Sequence, residues 1–237
     1  MNAASTSRRP IALAALAIAL LALGVGLRFY RLGAKSLWLD EAQTLFYVDR
    51  PLGETLAAVR ARDAHPPLYY ALLHLWMGGS SCEARARAFS ALASTLTLVV
   101  FFDLARRLLG IGAALVAAGV LAVSAFQVYF AQEARHYALA TLWVTLAWWF
   151  LVLLLKRGKG RAWPLWLGLA VANTAALYTF YYTLFAIVAQ GAFFLVAWRE
   201  RGRRLLPRWL VCQAAVGAAF APYVPVVLAR ARQLREL

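Results

Sequence analysis

Long apolar runs separated by short clusters of Arg and Lys constrain this chain more than any other feature. They cover Ile11–Leu27, Ala88–Leu109, Ile111–Phe130, Tyr137–Leu155, Ala162–Phe180, Tyr182–Trp198 and Trp209–Leu228. Each run approaches the roughly 20 residues that a tilted helix needs to cross about 30 Å of hydrocarbon. A hydrophobic share of 63% excludes an ordinary soluble domain. The sequence therefore predicts an all-α, polytopic bundle of about seven transmembrane helices that forms a single domain over residues 1–237.

The basic residues predict how the bundle is oriented. The net charge of +15 does not indicate a nucleic-acid partner, because the cations lie in clusters between the apolar runs. If the short apolar stretch Pro66–Met77 does not cross, the positive-inside rule places the N-terminus and the clusters within 106–107, 156–161 and 199–208 in the cytoplasm. The sequence thus predicts a multi-pass protein of a bacterial plasma membrane, with a long extracytoplasmic loop over residues 28–87.

The extracytoplasmic loop contains helical patterns of its own. Asp40–Val48 and Pro51–Ala61 have apolar residues at helical spacing and are typical of amphipathic helices in the membrane interface. Pro66–Met77 is about a dozen residues long, which favours an interfacial or re-entrant helix. Such helices would hold side chains over the mouth of the bundle.

Chemically active residues gather in the predicted outer segments. They are the adjacent Asp40 and Glu41, the sequence His65-Pro66-Pro67-Leu68, the cations Arg85 and Arg87, and the turn Gln132-Glu133-Ala134-Arg135-His136-Tyr137. In their order and spacing these groups resemble the GT-C superfamily of polytopic glycosyltransferases, in particular the protein O-mannosyltransferase and aminoarabinose transferase-like branch. The resemblance covers roughly residues 10–200. It implies a polyprenyl-phosphate sugar donor and an inverting transfer on the extracytoplasmic face.

The implied reaction needs two kinds of group. A base must take the proton from the attacking hydroxyl, and positive charge must stabilise the departing phosphate. Asp40 is the candidate base, with the alternative that it only caps the helix beginning at Glu41. Glu41 is the second candidate catalytic residue; orienting Asp40, holding a loop cation and favouring a helix N-terminus remain open for it.

The candidate donor-phosphate and substrate residues lie in the outer loops and turns. They are His65, Arg87, Glu133, Arg135, His136, Tyr137 and Tyr182. The alternatives are an interfacial anchor for Arg87, an ion pair between Glu133 and either Arg87 or Arg135, and an aromatic belt for Tyr182.

No cofactor is expected, because no pair of His residues has metal-ligand spacing. A divalent cation at Asp40 and Glu41 is the less favoured alternative. The expected partners are the lipid bilayer, the lipid-phosphate sugar and an acceptor that the sequence does not identify. Members of the family usually carry further spans and a soluble domain after the shared module, so the C-terminal part of that architecture is expected to be absent. The competing hypothesis is a non-catalytic lipid-binding subunit or carrier that retains the module.

Overall fold

The computed structural model describes residues 4–157, 162–196 and 201–233, which form helices and turns without a β-strand. The first four helices are α1 (Ala4–Phe29), α2 (Leu39–Val48), α3 (Leu52–Arg62) and α4 (Leu68–Met77). The next five are α5 (Glu83–Leu109), α6 (Ile111–Val123), α7 (Ala125–Ala131), α8 (Tyr137–Lys156) and α9 (Trp163–Thr179). After the 3₁₀ turn Tyr181–Thr183 come α10 (Leu184–Val196), α11 (Arg201–Phe220), the 3₁₀ turn Ala221–Tyr223 and α12 (Val224–Gln233). The predicted all-α polytopic bundle is confirmed.

The number of membrane spans differs from the prediction. Four segments of the described residues are long and apolar enough to cross a membrane, namely Ile11–Phe29, Glu83–Leu109, Tyr137–Lys156 and Arg204–Arg230. The pair α6 and α7, bent by 56°, supplies a fifth if it counts as one span. Helix α9 has only 17 residues and α10 only 13. The predicted count of seven is therefore not confirmed; the basic residues at 159, 161 and 199, and Trp198, lie outside the described part of the chain.

Helix α8 lies at the centre of the bundle, packed between α5 and α9, while α6 packs on α5 and α1. A Cβ atom at Gly24 would lie 2.5 Å from Leu98, so α1 approaches α5 this closely only because residue 24 is glycine. On the other side of the bundle, Asn173 of α9 hydrogen-bonds to Gln190 of α10 and Gln213 of α11. Such amide contacts hold helices together where no water competes for them.

The predicted span Ile111–Phe130 is wrong in one respect, because the helix breaks at Ser124. The Ser124 hydroxyl accepts a hydrogen bond from the Gln127 N–H at 3.5 Å and so caps the new helix α7. The last carbonyls of α6, at Leu121 and Ala122, accept hydrogen bonds from the Arg28 guanidinium. The bend therefore gives some of the polar backbone groups on each of its sides a side-chain partner.

The three short helices α2, α3 and α4 pack together over one end of the bundle. Their observed bounds agree with the predicted segments to within two residues. Helix α4 buries Tyr69, Tyr70, Leu73 and Met77 in a core shared with α2, α5 and α8, and it ends at Gly78, whose φ of 53° is left-handed. The same end of the bundle carries the turn between α7 and α8 and the turn after α9, and it holds the candidate site.

Candidate functional site

A buried ion pair between Arg87 and Glu41 organises the site. Arg87 donates to both carboxylate oxygens of Glu41, from Nε to Oε1 at 2.9 Å and from Nη2 to Oε2 at 2.7 Å. Its remaining N–H groups donate to the backbone carbonyls of Leu32, Lys35 and Ser36. A guanidinium has five N–H donors, so all five are occupied inside the protein. The loop after α1 is thereby wrapped around the start of α5.

Glu41 also accepts two backbone hydrogen bonds, from the Ala134 N–H at 2.8 Å and the Trp38 N–H at 3.2 Å. Burial alone would raise the pKa of the Glu41 carboxyl, but the hydrogen bonds from Arg87, Ala134 and Trp38 lower it below its usual range. The carboxylate thus joins α2, α5 and the turn before α8. Neither of the two ion pairs predicted for Glu133 forms among the described residues: Arg87 pairs with Glu41, and Arg135 lies against Asp40.

Asp40 has a different environment from its neighbour. Trp38 is the N-cap residue of α2, and Asp40 lies in the first turn with 63% of its side chain exposed. Its Oδ2 atom lies 3.7 Å from Nη2 of Arg135, whose Nη1 donates to the Asp40 carbonyl and to the Thr44 hydroxyl, both at 3.3 Å. Asp40 is therefore not the cap of α2 and remains accessible.

Asp40 faces a polar chamber of about 360 Å³. Its walls are Trp38, Leu39, Asp40, Glu41, Tyr129, Phe130, Glu133, Arg135 and Tyr137. Arg135 is buried, and its Nε has no hydrogen-bond partner among the described residues. An unpaired buried N–H of a cation is costly, so Arg135, which lines the chamber, retains an unused donor and a positive charge that attract an anion.

Glu133 is the half-buried carboxyl of the chamber. Burial, and then the nearby carboxylates of Glu41 and Asp40, raise its pKa above the usual range, although Tyr129 and Arg135 oppose this. Glu133 therefore keeps its proton to a higher pH than an ordinary glutamate and can donate a hydrogen bond.

Two histidines lie against each other beside the chamber without lining it. The ring centroids of His65 and His136 are 4.1 Å apart, and the Phe180 ring lies 4.7 Å from that of His136. Asp63 accepts hydrogen bonds from the backbone N–H and from Nδ1 of His65, at 2.8 and 2.9 Å. Burial, with the charges of His65 and Arg135, lowers the pKa of His136 to about 2, and neither ring nitrogen has a hydrogen-bond partner in the described structure. His136 is thus a neutral aromatic ring packed beside the chamber.

An apolar groove of about 450 Å³ adjoins the chamber. It runs along α7 and α8 to the start of α10 and is lined by residues such as Phe126, Thr141, Val144 and Ala186. Phe130 and Tyr137 line both spaces, so the chamber and the groove meet there. Tyr182, a predicted substrate residue, lines the groove and not the chamber. The site thus combines a polar chamber with an apolar groove.

The structure brings most of the predicted residues together and adds others. Asp40, Glu41, Glu133, Arg135 and Tyr137 share the chamber, whereas His65 and His136 stand beside it and Arg87 lies behind Glu41. Sequence reasoning missed Asp63, although its position two residues before His65 is a usable signal. It also missed Phe130, which has no sequence signal beyond an aromatic residue near a span end. Arg28 was predicted to begin the outer loop, but it lies inside α1 and is fully buried.

No three His, Cys, Asp or Glu side chains converge to hold a metal ion anywhere in residues 4–157, 162–196 and 201–233. No curated protein and no solved structure matches the chain. Residues 64–228, more than half of the chain, match the dolichyl-phosphate-mannose-protein mannosyltransferase family. The match includes His65, Arg87 and the turn before α8, whereas Asp40 and Glu41 precede it. The chain therefore belongs to the dolichyl-phosphate-mannose-protein mannosyltransferase family and is a multi-pass membrane glycosyltransferase of the GT-C kind.

Proposed function

We propose that the protein transfers a sugar from a polyprenyl-phosphate donor to a hydroxyl acceptor with inversion at the anomeric carbon, and that Asp40 is the general base. The observation that carries this proposal is the junction of a polar chamber with an apolar groove at Phe130 and Tyr137. A lipid-phosphate sugar has the same two-part character. Its phosphate and sugar fit the chamber, and its first isoprene units fit the groove.

Arg135 is the residue we assign to the donor phosphate. The Nε atom of Arg135 has no hydrogen-bond partner among the described residues, and its guanidinium is buried next to Asp40. The N-terminus of α8 begins at Tyr137 in the chamber wall and adds backbone N–H groups that favour an anion. The raised pKa of Glu133 weakens the repulsion that its carboxylate would exert on the phosphate. Arg87 has no donor left for this role, and we assign it and Glu41 to holding the chamber wall.

The chemical step is a single displacement. The Asp40 carboxylate takes the proton of the acceptor hydroxyl as its oxygen bonds to the anomeric carbon, and the bond from that carbon to the phosphate oxygen breaks. The electron pair leaves with the polyprenyl phosphate, whose growing negative charge lies against Arg135. Attack opposite the leaving group inverts the configuration. The exposure of Asp40 supports this role because the acceptor can reach it from the aqueous side.

The alternative of a lipid carrier receives less support. A carrier needs polar groups along a path through the membrane. The amides of Asn173, Gln190 and Gln213 are engaged with one another between α9, α10 and α11 and line neither the chamber nor the groove.

We also propose that the site lies at the extracytoplasmic surface, with α2, α3 and α4 outside. Single cysteines at Gly79 and Gly110, introduced after Cys82 and Cys212 have been replaced by serine, test this: an impermeant thiol reagent should label the first from outside and the second only from inside.

Asp40→Asn tests the mechanism in protein reconstituted with a panel of polyprenyl-phosphate sugars. Turnover should fall by about 10²–10⁴-fold, as expected for loss of a positioned base, while donor binding stays within about twofold. Asp49→Asn is the matched control, because it makes the same change at the other end of α2 and should leave both quantities intact. An Asp40→Asn enzyme with wild-type turnover would exclude Asp40 as the base. Donor binding without any turnover in the wild type would favour the non-catalytic subunit.

A further inference from the structure

Arg28 is a fully buried arginine near the end of a membrane span, with a relative exposure of 0%. Its described partners carry no negative charge. Nε donates to the Ser94 hydroxyl at 2.9 Å, Nη1 donates to the carbonyls of Gly24 and Ala122, and Nη2 donates to that of Leu121. An ionisable side chain in the membrane is expensive, and it is usually kept for a function.

The carbonyls that Arg28 binds explain what it does to the fold. Leu121 and Ala122 lie in the last turn of α6, where carbonyls have no partner within the helix and carry the negative end of the helix dipole. A cation at that place stabilises the end of α6. Without it, these carbonyls regain partners most easily if α6 continues straight through Ser124 into α7.

A second contact from the end of α1 holds the other end of α7. The Gln132 amide donates to the carbonyls of Leu27 and Tyr30, at 2.8 and 3.2 Å. Helix α7 is therefore fixed at its start through Arg28 and at its finish through Gln132. Both contacts preserve the 56° bend between α6 and α7.

The bend decides where the groove lies. Phe126, Gln127 and Phe130 of α7 line the groove from one side, and Ser94, the hydroxyl partner of Arg28, lines it from α5. If α7 continued straight from α6, its aromatic side chains would leave the groove. The chamber would lose the walls that Tyr129 and Phe130 of α7 provide, but it would keep Asp40 and Arg135, because neither is held by α1.

We propose that Arg28 is a positioning residue for the lipid chain of the donor: by holding α7 at its bend, it shapes the groove without touching the reacting groups. This inference rests on the proposed function, because it takes the groove as the site of a polyprenyl chain. It separates two parts of donor recognition. The phosphate is bound by the chamber, and the chain is bound by a helix that Arg28 keeps in place.

The test uses the full chain in detergent micelles with two probes, a long-chain polyprenyl phosphate carrying a diazirine on its second isoprene unit and inorganic phosphate, which has no isoprene unit. Photolabelled peptides are mapped by mass spectrometry. In the wild type the label should fall on residues 125–131 and on α8. In Arg28→Met the label on residues 125–131 should fall at least about fivefold, while the dissociation constant of inorganic phosphate changes less than about twofold. Arg28→Lys, which keeps the charge but fewer donors, should give an intermediate yield.

Gly168→Ala is the control for a general loss of stability. A Cβ at residue 168 would lie 2.4 Å from the Phe150 ring, away from the groove, so this variant should be less stable but labelled like the wild type. If Arg28→Met does not fold, Gln132→Leu releases the other end of α7 and should lose the same label. An unchanged label in Arg28→Met, or in Gln132→Leu, would overturn the inference. Absence of groove label in the wild type would instead reject the lipid site of the proposed function, and the inference with it.

Discussion

Replacing Glu41 by Gln should destabilise the protein far more than the same change at Asp40. Each carboxylate oxygen of Glu41 accepts two hydrogen bonds, one from Arg87 and one from a backbone N–H. An amide converts one oxygen into a donor, so two buried N–H groups lose their acceptor and the Arg87 charge loses its partner. Unsatisfied buried donors cost about 1–3 kcal/mol each, and breaking a buried ion pair costs about 3–5 kcal/mol. We expect a loss of about 3–5 kcal/mol.

The assay is thermal unfolding in a fixed detergent, followed by tryptophan fluorescence. For a chain of this size each kcal/mol shifts Tm by about 2–4 °C, so Glu41→Gln should lower Tm by roughly 10 °C. Asp40→Asn is the adjacent control and should stay within about 2 °C, because its side chain is mostly exposed. Arg87→Met should resemble Glu41→Gln, and the double variant should lose less than the sum of the two. A Glu41→Gln protein with wild-type Tm but no turnover would refute the structural role and return Glu41 to the chemistry.

Two further predictions follow from buried polar groups. Because the folded state keeps His136 neutral while the unfolded chain binds a proton near pH 6.5, stability should fall by up to about 2 kcal/mol as the pH falls from 7 to 5. Glu133, whose pKa is raised, is protonated more readily in the folded state and therefore opposes this loss. Because His136→Phe removes the histidine contribution, the Tm of this variant should decline less with acid than that of the wild type. Asn173→Leu leaves the amides of Gln190 and Gln213 without their partner and should cost about 1–2 kcal/mol, measured as a lower Tm with donor binding unchanged.

The fold class and the short helices between α1 and α5 were predictable because they depend on local patterns. Hydropathy, the proline at residue 51 and helical spacing determine α2 and α3 within a residue or two. The break at Ser124 was not predictable in the same way, because Ile111–Phe130 is apolar throughout and the bend depends on Arg28, which is distant in sequence.

The candidate site shows the same division. The chemical types were readable, since carboxylates, cations and histidines stand out among apolar spans. Their pairing was not: the sequence does not indicate that Arg87 selects Glu41 over Glu133, or that Arg135 stays near Asp40. Adjacent residues on a helix point about 100° apart, so Asp40 and Glu41 were bound to differ in environment. Which of them would be buried depends on packing across three segments.

In the described part of the chain, Phe126 and Tyr182 on one side of the groove beside α7 and α8 are 67% and 61% exposed, so the described residues leave that side open. Under the proposed function, a polyprenyl chain would enter sideways from the bilayer, with its far end still among the lipids. The polyprenyl phosphate released by the reaction would leave by the same open side. Encounter then takes place in two dimensions, and the rate of supply depends on how many donor molecules share each unit of membrane area. An enzyme of this shape would be governed by surface density, and adding inert lipid at constant total donor should slow it as dilution slows a reaction in solution.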